Sequence, residues 1–176
     1  MRLTLTDDSR VHVDVRSKGL IAALDHELTF TGHPDPFTVE VGETTPLDIA
    51  VEARVPIARL DPPPSASKFD RDKMLDNLRG RDVLDMDRTP VLCLRGRYRG
   101  ELDKGELEGD LFVRGAPKHV KLPVEIVRSF DVYRVRAVWE GSQTELGIKP
   151  FRALFGALKL SDYARIRLDL TFAAEP

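Results

Sequence analysis

The side chains able to do chemistry are few and scattered. His26 and Glu27 begin what a zinc-protease helix would need, but that chemistry requires a second His four residues on, where Phe30 stands. His12, His33 and His119 fall on separate stretches without ligand-like spacing, so no metal is expected. No G-x-S-x-G elbow presents a nucleophile, and no Gly-rich loop precedes a helix to cradle phosphate. Cys93 is the single cysteine, which excludes an internal disulfide and, within VLCLRG, reads as a small core residue. These absences point away from an enzyme and require no cofactor.

The stretches around these residues are patterned far more strongly. In Glu106–Val127, Leu107, Leu111 and Val113 alternate with Glu108, Asp110 and Arg114, interrupted only at Gly109. Val120, Leu122, Val124 and Ile126 then alternate with Lys121, Pro123 and Glu125. Successive strand side chains point to opposite faces, so this is a hairpin with one apolar and one wet face, reversed at Gly115-Ala116-Pro117. Similar alternation predicts strands at LTL and VHVDV near the start, at Phe37–Val41, Leu47–Val55, Val91–Tyr98 and Phe130–Glu140, and finally through Ile166, Leu168, Leu170 and Phe172. Helical spacing appears in Lys68–Leu78 and in Phe151, Leu154, Phe155 and Leu158, with one or two turns in Lys18–Leu24.

About eight alternating strands with meander turns and no βαβ rhythm imply an all-β protein, a single antiparallel eight-stranded lipocalin-like barrel with one or two short helices. A chain of 176 residues fits one such domain, residues 1–176. Its 29 acidic and 27 basic groups lack the basic excess of a nucleic-acid binder. No apolar run approaches a bilayer span, so stable membrane insertion is not expected; homodimerisation is left open. MRLTLTDDSR contains no secretory signal, which makes the expected location cytoplasmic, or periplasmic for a trimmed chain.

The segment Gly109-Asp110-Leu111-Phe112-Val113-Arg114-Gly115-Ala116-Pro117-Lys118-His119-Val120, followed by Leu122-Pro123-Val124, resembles the signature of the YceI-like family, polyisoprenoid-binding proteins with an extended lipocalin-like barrel. Met74–Pro90, Glu145-Leu146-Gly147-Ile148, Leu160-Ser161-Asp162 and the last strand agree in order and spacing, and Asp25-His26 falls where many members carry a His. The resemblance runs from about Arg10 to Phe172 and implies binding, transport or sequestration of an isoprenoid, quinone or fatty-acid-like chain. Inward faces would then wall a cavity with Leu28, Phe30, Leu94, Leu111, Val113 and Leu122, continuing through Val124, Val135, Trp139, Ile166, Leu168 and Leu170. Such a wall suits a hydrophobic small molecule, because burial is non-directional and contributes about 0.8 kcal/mol per CH₂. His26, Arg114 and Lys118 are the candidates for contact with a polar head group. The alternative is a filled-core barrel acting as a protein-interaction module.

Overall fold

The computed structural model describes residues 1–19, 27–64, 66–150, 152–153 and 158–175. Among the described residues twelve strand segments form one antiparallel, strongly curled sheet of the lipocalin-like kind. They are β1 (Arg2–Leu5), β2 (Arg10–Gly19), β3 (Glu27–Gly32), β4 (Thr38–Glu40), β5 (Leu47–Pro56) and β6 (Leu60–Asp61). After the helix α1 (Lys68–Arg79) come β7 (Val91–Gly100), β8 (Lys104–Val113), β9 (Ala116–Ser129), β10 (Val132–Ser142), β11 (Arg152–Ala153) and β12 (Leu158–Ala174).

Twelve segments stand for eight strands because three strands are broken and β11 is a two-residue addition beside β12. β1 and β2 run end to end along β12, pairing with Phe172–Ala174 and Leu158–Asp169 respectively. β4 and β3 continue them on the far side, and β6 resumes β5 after a 3-10 turn at Ile57–Arg59. Ser9 bridges the break between β1 and β2. Its buried hydroxyl donates to the Thr171 carbonyl at 3.2 Å and accepts from the Thr171 N–H at 2.9 Å. A side chain thus satisfies the backbone groups that the missing ladder residue would have met.

The strand path β5-β7-β8-β9-β10-β12-β2-β3-β6 returns to its starting point, since β5 and β6 are consecutive. At this seam Thr31 and Gly32 pair with Asp61 and Leu60, and the Asp35 N–H donates to the Arg54 carbonyl at 2.7 Å. α1 starts where Ser67 accepts a hydrogen bond from the Asp70 N–H, and its last turn places Leu78 against the core. Among the described residues no helix is long and apolar enough to cross a membrane.

Four details differ from the sequence pattern. The main hairpin reverses at Arg114-Gly115, both with positive φ (55° and 74°), while Ala116 and Pro117 already pair with Val113 and Phe112. A two-residue turn with both φ positive matches the strand twist, which a longer loop would not need to do. Phe130 belongs to a turn rather than a strand, because Ser129 pairs with Val132 and closes the loop around it; it is 90% exposed. Arg152–Ala153 and Leu158 are strand, paired across β11 and β12, so that stretch is not one continuous helical face; Phe151, Leu154 and Phe155 lie outside the described residues. Ladder pairing likewise carries β2 through Lys18 and Gly19, against Lys159 and Leu158, where a helical turn was expected; Leu20–Leu24 lie outside the described residues.

Candidate functional site

Inward residues of β5, β7–β10 and β12 surround two voids that follow one another along the barrel. The first occupies about 800 Å³, including space continuous with solvent, and the second about 650 Å³ on the same terms. Val124, Val135 and Leu170 line the first, which reaches Leu102 in the β7–β8 turn. Leu111, Val113, Leu122, Trp139 and Ile166 line the second. Leu94 and Leu168 belong to both, as does Ala53.

Two residues expected in the wall line neither void. Phe30 is buried on the inner face, paired opposite Val13, and Leu28 is half-buried opposite Val15. Conversely, the inner face of β5 (Leu47, Ile49, Val51, Ala53 and Val55) walls the voids and was not among the expected wall residues, although its alternation is plain in the sequence. Phe37 and Phe172, in edge-on contact at 5.5 Å, close another side of the first void.

The wall is carbon almost throughout. Two tyrosines border the first void with their hydroxyls already engaged: Tyr98 donates to the Glu101 carbonyl, and the Tyr133 oxygen lies 3.4 Å from Met1 Sδ. Burial, reinforced by Asp103 and Glu101, pushes the Tyr98 phenol up, so it stays neutral at ordinary pH. Cys93 borders the second void but is only half-buried, with Sγ 4.0 Å from Glu52. Burial and the Glu52 charge raise its thiol, the opposite of what a nucleophilic cysteine needs.

Val113, in the wall of the second void, leads directly into the Arg114-Gly115 turn. There Arg114 donates from Nη1 to the Val83 carbonyl at 3.0 Å, tying the hairpin turn to the segment after α1, whose Leu84 is buried in the core. Lys118 Nζ pairs with Glu145 at 3.0 Å, and Glu145 also accepts from the Ser142 N–H at 2.8 Å. Both candidate head-group cations therefore have protein partners; His26 lies outside the described residues. The other histidines stay apart: His12 is 3.3 Å from Thr31, His33 is 2.7 Å from Asp61, and His119 sits 3.3 Å from both Asp110 and Glu108. Among the described residues no three His, Cys, Asp or Glu side chains are arranged to hold a metal.

Outside, charge alternates from strand to strand. Asp48 and Glu52 on β5 face Arg97 and Arg95 on β7, and Glu108 on β8 faces Lys121 on β9. Arg136 on β10 meets Asp169 on β12. These charged pairs lie on the wet face, and none of the described residues lining the two voids carries a charge, which is what makes the voids an apolar site.

The sequence matches the YceI-like domain over residues 5–172. This chain belongs to the YceI-like family. No curated protein matches it in sequence. Two solved structures share its fold. BcnA of Burkholderia cenocepacia aligns with a TM-score of 0.62 at 14% identity, covering 92% of this chain and 95% of that one. A YCEI protein of Campylobacter jejuni aligns with a TM-score of 0.54 at 12% identity, covering 92% and 85%. At such identities the likeness concerns the backbone, and the lining of this YceI-like barrel has to be read from its own side chains.

Proposed function

We propose that this YceI-like protein is a non-catalytic carrier or sequestering protein for one long apolar or amphiphilic chain, of isoprenoid, quinone or fatty-acid type. The observation that carries the reading is the pair of in-line voids walled by carbon. A chain of about fifteen carbons gains roughly 12 kcal/mol on burial, against association costs of about 4–15 kcal/mol, so only long chains bind well without polar anchors. The polyisoprenoid binding implied by the family resemblance agrees with this chemistry. Two in-line voids also weigh against the filled-core alternative, in which side chains would occupy that space. Native mass spectrometry followed by organic extraction of the purified protein tests the reading, with a co-purified chain lipid and lipid transfer between vesicles as the expected results. A clean unliganded mass without transfer overturns it.

A further inference from the structure

We propose that Ala53 is the gate that decides how long a chain this barrel accepts, an inference that rests on the carrier reading above. The two voids share only Ala53, Leu94 and Leu168 in their walls. Leu94 on β7 and Leu168 on β12 stand four strands apart in the curled sheet, on opposite walls, and so narrow the passage from both sides. Ala53 sits beside Leu94, its pairing partner on β5.

The inner face of β5 reads Leu47, Ile49, Val51, Ala53, Val55, bulky at every position except the waist. A fifth branched residue there would meet the two leucines and divide the interior. With alanine the waist stays open to a slender chain. A short chain is housed in the first void alone. A long one must thread past Ala53 into the second, where Trp139 and Ile166 supply the added contact.

The test compares farnesol, a short prenyl alcohol, with solanesol, a long one, by native mass spectrometry and competition on wild type and Ala53→Phe. The expected result is that the variant keeps farnesol affinity and loses solanesol affinity by roughly tenfold or more. Ala53→Leu and, from the opposite wall, Leu168→Phe give the same selectivity and serve if Ala53→Phe does not fold, as judged by circular dichroism. Folded variants that bind solanesol like wild type, or that lose both alcohols in proportion, overturn the gate while leaving the carrier reading intact. Wild type that takes up neither alcohol overturns the carrier reading and the gate with it.

Discussion

Asp14 is completely buried on the outer face of β2, with Arg165 Nε at 2.9 Å, Arg167 Nε at 2.7 Å and Nη2 at 2.9 Å, and the Thr29 hydroxyl at 2.7 Å. Burial alone would raise its carboxyl; the hydrogen bonds from Arg167, Thr29 and Arg165 outweigh it and hold the pKa down at about 2. A depressed folded-state pKa means that the stabilisation is complete above the ordinary value of 3.8 and disappears as the pH falls through about 2. The shift corresponds to about 2 kcal/mol. Asp14→Asn is therefore expected to lower stability at neutral pH by about 2 kcal/mol, seen in urea melts, with the gap to wild type closing in acid. A gap that persists unchanged at low pH would show that packing, not charge, makes the difference. The sequence places Asp14 on a wet face by alternation alone, and that parity is correct. Its burial was not legible, because the arginines that cover it come from β12, at the other end of the chain.

The β7–β8 hairpin shows how a local irregularity becomes an element-level device. Gly109 looks like a gap in the alternating pattern, yet it keeps the inward parity of Leu107 and Leu111 and pairs with Gly96. A Cβ on Gly109 would lie 2.1 Å from the Arg95 carbonyl oxygen and 2.5 Å from Gly96 Cα. Two glycines let the backbones of neighbouring strands approach and the sheet bend tightly at that point. Backbone atoms cannot swing aside, so Gly109→Ala is expected to destabilise by about 3 kcal/mol or to prevent folding. Gly42→Ala, whose Cβ would meet only Thr44 Oγ1 at 3.8 Å, should stay within about 0.5 kcal/mol of wild type in the same thermal melts. Equal losses in the two variants would refute the tight bend. Most strands were legible from side-chain parity, which depends only on neighbours in sequence. The Arg114-Gly115 turn and the Phe130 turn were shifted by a residue or two, because hairpin register is fixed by the partner strand as well as by the turn's composition.

At the scale of the whole molecule, the barrel keeps space inside that its sequence could not announce. Parity identifies an inward residue, but whether opposite walls meet or leave a void depends on curvature, and curvature comes from strand breaks and the Gly96–Gly109 bend. This explains why Leu111 and Leu168 border open space while Phe30, read from the same pattern, borders neither void. Internal voids have a mechanical consequence: unfolding eliminates them, so the folded state has the larger volume and pressure drives it apart, with volume changes of about −20 to −100 mL/mol. A chain that fills the voids removes part of that difference. Saturation at a hundredfold excess over Kd also adds about 2.7 kcal/mol by mass action. Loading with solanesol is accordingly expected to raise the melting temperature and, separately, to shrink the unfolding volume measured by fluorescence under pressure. The two readouts are separable. A ligand held on the outer surface raises the melting temperature alone, so an unchanged unfolding volume in a thermally stabilised complex would place the lipid outside the barrel.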